Sequence, residues 1–292
     1  MADVIQRMRP WLGTFVEIRA EGLVEAESAR VIEAAFAEIA AVHRRMSFHA
    51  ADSDLARLHR APVGAAVRVD ARTREVLECA LRIAAVSDGC FDPTIAAQQV
   101  GWAFLPRPDS PFAPDPCASW RDIELVDDDC VRLRRPLWLD LGGIAKGYAV
   151  DRAIEILIAA GATQAGVNAG GDLRLFGSRT ECIHLRTSGA FHEIVPGIEL
   201  TNAAVASSTG LRSRRRVRGR WQDTHVHGRE RRPVGVLSSV SVVAEHCIIA
   251  DALTKVVLAA SVKASRAVLA AFGAHACTHD LWHGWRILED AA

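Results

Sequence analysis

No stretch of the 292 residues is apolar for long enough to cross a bilayer, which excludes a membrane-spanning helix. The N-terminal MADVIQRMRPWLGT has neither an apolar signal core nor a lipid-attachment cysteine, so the cytoplasm is the expected compartment. Net charge is also lacking: 35 Lys and Arg balance 35 Asp and Glu. A protein that held nucleic acid by bulk charge would not be neutral, so no nucleic-acid partner is expected. The seven cysteines, at 79, 90, 117, 130, 182, 247 and 277, are scattered and never spaced C-x-x-C. They read as reduced thiols and not as a disulfide frame or a zinc site. Neither a Walker A loop nor a dinucleotide fingerprint is present, and no internal repeat is visible.

What is present is a chain that is 50% hydrophobic and long enough to bury a sizeable core as one large unit. Residues 137–151, LWLDLGGIAKGYAVD, are its most organised stretch. A short apolar strand over 137–141 is expected to enter a turn at Gly142-Gly143, followed by a long helix that stops at Gly161. Glycines at a helix start let backbone approach a phosphate, and the helix dipole favours negative charge there. An ordinary strand-to-helix connection with a solvated lysine would read the same way.

The remaining patterns predict a strand at 14–20 and a helix from about Leu23 to Arg45. A short helix is expected after the Asp52-Ser53 cap, and another after Asp70, ending at Gly89. Strands are expected near 122–126, 130–134, 165–168, 182–187, 203–207 and 236–243, and a last one near 285–288. Helices are expected over 246–261 and 263–272. Residues 105–117 hold five prolines and read as an exposed irregular loop. The arginine-dense segment 212–233 reads either as a solvated basic loop or as a guide for a phosphate-bearing ligand or an acidic partner. Strands and helices mix without a strict alternation, so the class is α+β.

Six blocks occur in order: LGT at 12–14, MS followed by DSDLARL within 46–58, SDGCFDPT at 87–94, DLGGIAKGYAVD at 140–151, NAGGD at 168–172 and ADALTK at 250–255. Together they resemble the FAD:protein FMN transferase (ApbE) family over residues 8–289. The resemblance implies a single α+β domain across 1–292, with a mixed β-sheet, flanking helices and a T-fold-like architecture. It implies an enzyme that cleaves the FAD pyrophosphate, attaches FMN through a phosphoester to a threonine of an acceptor flavoprotein, and releases AMP. A magnesium ion at the pyrophosphate is implied as well.

On that resemblance, Leu12, His49, Cys90, Phe91, Asp92, Asp140, Lys146 and Val226 fall at FAD-contact positions. His225 falls at the general base, Asp251 and Lys255 at catalytic positions, and the Gly143 carbonyl, Asp251 and Thr254 at metal-ligand positions. Asn168 and Asp172 match the second glycine turn. Phosphoryl transfer needs charge neutralisation, in-line placement and a base, which these residue types can supply.

The sequence departs from the family pattern at three places. The family's Asp-x-x-x-Thr becomes Asp251-x-x-Thr254-Lys255, so either Thr254 reaches the magnesium or the Lys255 ammonium partly replaces it. Because hard carboxylate and carbonyl ligands remain, a retained magnesium is the expectation. After His225 the family's Asp-Pro-x-Thr-Gly turn is gone, and His49 stands where the family has tyrosine. An FAD pyrophosphatase and a non-catalytic FAD carrier are the alternatives these departures leave open.

Overall fold

Helices form where apolar residues recur every three or four positions. In α1 (Glu25–Met46), Ile32, Ala35, Phe36, Ile39 and Val42 make one buried stripe. Glu25 and Glu27 in its first turn, and His43, Arg44 and Arg45 in its last, complement the helix dipole. The computed structural model describes residues 4–185, 196–210, 214–234, 238–280 and 283–288. Expected strand positions 186–187 and 236–237, and Arg212, lie outside the described residues.

Before α1 run β1 (Ile5–Trp11) and β2 (Thr14–Glu21). After it come α2 (Asp54–Arg60), β3 (Ala66–Arg68), α3 (Ala71–Val86) and α4 (Ala96–Gly101). Then follow β4 (Ile123–Asp127), β5 (Cys130–Leu133) and the central α5 (Ala145–Ala159). Next are β6 (Gln164–Ala169), β7 (Asp172–Phe176), β8 (Glu181–His184), β9 (Gly197–Leu200) and β10 (Ala204–Thr209). A hairpin of β11 (Arg215–Val217) and β12 (Arg220–Gln222) leads to β13 (Ser238–Ala244). Last come α6 (Cys247–Ala259), α7 (Val262–Ala271), β14 (His275–Asp280) and β15 (Gly284–Leu288).

Eight strands form the main sheet in the order β1-β2-β6-β7-β10-β13-β14-β15. The α+β class is as expected, but the sheet is antiparallel in every described pairing and not mixed. Tight glycine turns account for two of these pairings, β1–β2 and β6–β7, since antiparallel neighbours can be joined by a hairpin. Gly13 lies in the β1–β2 turn, and Gly170 and Gly171 make the β6–β7 turn, all with positive φ. The sheet's inner face and α1, α5 and α6 share one core, in which Phe36, Val167, Ile154, Leu253 and Val242 are all buried.

α5 and α6 cap each other. Asp151 of α5 accepts the Cys247 and Ile248 N–H groups at the start of α6, both at 2.9 Å. In return Asp251 of α6 accepts the Gly147 N–H at the start of α5, at 3.1 Å. Each carboxylate satisfies donors that a helix start leaves without an intrahelical partner. The crossing is so close that a Cβ on Gly147 would overlap the Cys247 carbonyl. Only glycine fits there.

Several expectations need correction. Residues 137–141 are buried apart from the half-buried Asp140, and they form no strand and pair in no sheet. Their backbone is satisfied elsewhere: the Leu139 N–H donates to Nε2 of His59 at 2.8 Å, and the Asp140 N–H to the Pro93 carbonyl at 2.8 Å. The arginine-dense segment is not a plain loop, because β11 and β12 fold it into a hairpin. Arg214 stacks on Trp221, while Arg215 stacks on Phe104 and donates to the Ala103 carbonyl at 2.8 Å. β1, β3, β7, β9, β14 and α4 were not foreseen from the sequence.

Candidate active site

One cavity of about 430 Å³ opens beside the start of α5. It is lined by Leu12, His49, Cys90, Phe91, Asp92, Asp140, Gly143, Lys146, His225, Val226 and Lys255, residues that the sequence singled out. Asp251 and Thr254 do not line it; both are fully buried behind it. The resemblance had not assigned Phe48, Ile95, Gln99 or Leu105, which complete the wall. Gln99 also donates to the Thr224 carbonyl at 3.1 Å, tying α4 to the backbone just before His225.

The electrostatic centre consists of two lysine–aspartate pairs on different elements. Lys146 of α5 is paired with Asp172 at the start of β7, and Lys255 of α6 with Asp251 one turn earlier. The lysines face the cavity, and the carboxylates lie behind them with side chains 1% and 0% exposed. Burial penalises the Lys146 ammonium, yet Asp251 and Asp172 outweigh that and hold its pKa above the ordinary value. Burial also opposes the Asp251 carboxylate, but Lys146 and Lys255 hold its pKa below the ordinary range. Burial and the neighbouring Asp251 push the Asp172 carboxyl up. Asp172 therefore anchors Lys146, beyond the turn role expected for its block. Asn168 does serve the turn, accepting the Gly171 N–H at 2.9 Å.

Much of the expected backbone cradle is already in use. The Ile144 and Ala145 N–H groups donate to the Leu141 carbonyl at 3.1 and 2.9 Å, and Gly147 donates to Asp251. The Gly142 N–H donates to Oδ1 of Asp140 at 3.0 Å, while burial pushes the Asp140 carboxyl up. The charge that meets an anion here therefore comes chiefly from side chains.

His225 is held by Asp223, which accepts from its backbone N–H and from Nδ1, each at 2.9 Å. That bond fixes the imidazole with Nε2 as the acceptor, as a general base requires. Asp223, two residues upstream, was missed, although the Asp-x-His spacing is visible in the sequence.

Arg231, six residues after His225, ties that segment to the Asp92 turn. Its Nη2 donates to Oδ2 of Asp92 at 2.9 Å, to Oγ1 of Thr94 at 2.8 Å and to the Ala118 carbonyl at 2.9 Å. Asp92 also accepts from the Thr94 N–H and hydroxyl at 2.8 and 2.7 Å, so both its oxygens are engaged within the protein. Asp92 is thus a clamp at the cavity wall, where the resemblance implied a flavin contact. The Gly228 N–H donates to the Cys90 carbonyl at 3.0 Å, and a Cβ at Gly228 would overlap the Gly89 carbonyl. His49 is exposed, its N–H on the Ser47 hydroxyl at 3.2 Å.

Of the magnesium ligands implied by the resemblance, Gly143 lines the cavity, but the two side chains, Asp251 and Thr254, are engaged within the protein. The Thr254 hydroxyl donates to the Asp251 carbonyl at 2.7 Å and shares a 2.8 Å bond with Ser208, away from the cavity. One Asp251 oxygen takes Lys255 and the other takes Gly147. Among the described residues, no group of three His, Cys, Asp or Glu side chains is placed to hold a metal ion. A divalent cation would reach the Asp251 carboxylate only by displacing Lys255, so the residues as arranged do not fit the implied metal.

An α+β unit whose sheet, capped helices and lysine pairs converge on one cavity has the make-up of an anion-handling enzyme. The ApbE family model matches residues 12–278, and the chain belongs to that family. An FAD:protein FMN transferase of Rhodobacter capsulatus is 29% identical over 255 residues, covering 82% of this chain and 48% of that protein. One of Haemophilus influenzae is 28% identical over 211 residues, covering 66% of this chain and 61% of that protein. The chain thus spans about half to three-fifths of the length of these curated relatives. The fold matches the crystal structure of the ApbE protein of Thermotoga maritima with a TM-score of 0.84 at 24% identity, over 98% of this chain and 97% of that one.

Proposed function

We propose that this protein transfers the FMN phosphoryl group of FAD to a threonine hydroxyl of an acceptor flavoprotein and releases AMP. The observation that carries the reading is the convergence of Lys146, Lys255 and an Asp223-held His225 on one cavity with Phe91, Leu12 and Val226 in its wall. The apolar wall suits an isoalloxazine ring, and the ammonium groups suit a pyrophosphate. His225 accepts the threonine proton at Nε2 as the hydroxyl oxygen bonds to the FMN phosphorus. The bond from that phosphorus to the bridging oxygen breaks, and AMP leaves with the electron pair. Asp223 stabilises the imidazolium that forms, and Lys146 and Lys255 balance the charge gathering on the phosphoryl oxygens.

That the Rhodobacter and Haemophilus relatives are both FAD:protein FMN transferases supports the transferase reading. All seven cysteines are free, which supports a reducing compartment and hence an acceptor modified in the cytoplasm. No described helix is long and apolar enough to cross a membrane.

The test is to incubate the protein with FAD and an acceptor domain bearing a candidate threonine, following released AMP and acceptor mass together. A mass gain equal to an FMN phosphoester, lost in His225→Ala, is the expected result. AMP released with free FMN, and no acceptor gain with several acceptors, would replace transfer by hydrolysis. FAD that stays bound and intact would make the protein a carrier.

A further inference from the structure

Lys255 rests on the Asp251 carboxylate at the cavity wall. Its ammonium donates to Oδ1 of Asp251 and, at 3.0 Å, to the Asp251 carbonyl. A lysine ammonium has three donors, so one remains for the cavity that Lys255 lines. Its side chain is 18% exposed while Asp251 is 0% exposed, so the cation stands between the carboxylate and any ligand.

Each of the two lysine–aspartate pairs is balanced without a metal, and burial pushes the third carboxyl nearby, Asp140, up. Asp172 and Asp251 carry two negative charges, Lys146 and Lys255 two positive ones, and each lysine is paired with one carboxylate. A divalent ion at Asp251 would have to evict Lys255 from a fully buried carboxylate, whose other oxygen caps α5 through Gly147. Thr254, the remaining hydroxyl nearby, is committed to Ser208 and to its own helix. Magnesium needs one or two carboxylates beside water and phosphate oxygens, and here both oxygens of the Asp251 carboxylate are held, by Lys255 and by Gly147.

We propose that the Lys255 ammonium is the resident cation of this site, contacting the pyrophosphate of FAD in place of a divalent metal, so that FAD binding needs no added metal. The proposal rests on the FAD reading above. Lys255 acts as a compact point charge, fixed by Asp251 before the ligand arrives, and Lys146 provides a second charge from the opposite helix.

The experiment measures FAD affinity from flavin fluorescence in chelator and in excess magnesium, together with Mn²⁺ binding by electron paramagnetic resonance. Wild type, Lys255→Ala and Lys255→Thr are compared, each checked for folding by circular dichroism. Wild-type FAD affinity is expected to change less than about twofold between chelator and magnesium, with no Mn²⁺ bound to the FAD-free protein. Lys255→Ala should weaken FAD binding in chelator by about tenfold or more. Lys255→Thr, which uncovers Asp251, should bind Mn²⁺ and make FAD affinity magnesium-dependent.

Wild-type binding that collapses in chelator, or stoichiometric Mn²⁺ on the FAD-free wild type, would overturn the proposal while leaving the transferase reading standing. Both arms use the unmodified protein, so they decide the matter even if a variant fails to fold. Absence of FAD binding in every condition would overturn the functional reading and this proposal together.

Discussion

Burial of His59 makes the ribbon that carries Asp140 acid-sensitive. His59 sits in α2, 4% exposed, with its Nε2 accepting the Leu139 N–H at 2.8 Å. A nitrogen that accepts cannot carry a proton, so the folded protein needs the neutral imidazole, protonated on Nδ1. Burial lowers the pKa from 6.5 to about 4. The folded value lies below the unfolded one, so the unfolded chain binds the extra proton. The His59 contribution is therefore full above pH 6.5 and drains as pH falls toward 4. Between about pH 7 and pH 5 the drain comes to about 2 kcal/mol.

Replacing His59 by Phe, which can pack on Phe48 5.5 Å away, removes the titration and leaves the buried Leu139 N–H unpaired. At neutral pH that orphan costs about 1–3 kcal/mol. Urea unfolding of both proteins at several pH values is the assay, since carboxylates common to both cancel in the difference. The gap between wild type and His59→Phe should narrow by about 2 kcal/mol as pH drops from about 7 to about 5. Two parallel stability curves would refute the reasoning, whatever the absolute stabilities.

Gly147→Ala forces a methyl group into the Cys247 carbonyl, so thermal unfolding should show a loss of about 3 kcal/mol or more. An unchanged melting temperature would mean that α5 and α6 cross less closely than described. Asp223→Asn leaves the cavity's lysines in place but weakens the hold on the His225 ring. Single-turnover transfer should fall by about 100-fold with FAD affinity unchanged, and a loss of FAD affinity instead would remove Asp223 from the base's support. Arg231→Met strands the buried Asp92 carboxylate and should cost about 3–5 kcal/mol in chemical denaturation. A drop below about 1 kcal/mol would return Arg231 to the role of a solvated charge.

Local signals in the sequence were the ones that could be read. Asp70 caps α3 by accepting the Arg72 N–H, and Ser53 caps α2 by accepting the Ala56 N–H, because capping acts over two or three residues. Gly161, at φ +88°, follows the end of α5 as the glycine pattern implied. The ribbon at 137–141 misled because an apolar run reports burial and says nothing about pairing. Its partners, His59 and the Pro93 carbonyl, come from α2 and an acidic turn. Arg231 misled for a similar reason. A run of arginines reads as solvated until the fold brings Asp92, Thr94 and Ala118 against one of them.

The cation question shows where the limit of the sequence falls. Lys255 four residues after Asp251 is compatible with a surface ion pair, a metal ligand's neighbour or a phosphate contact, because the spacing fixes only a shared helix face. Three long-range facts separate these readings. Gly147 brings α5 close enough for its N–H to take one Asp251 oxygen. Ser208 on β10 holds the Thr254 hydroxyl, and the α5 lysine is already balanced by Asp172 at the β6–β7 turn. Each fact depends on a different pair of elements docking, so none appears in any local motif. Once all three hold, the second Asp251 oxygen has one partner left, and that partner is the Lys255 ammonium facing the cavity.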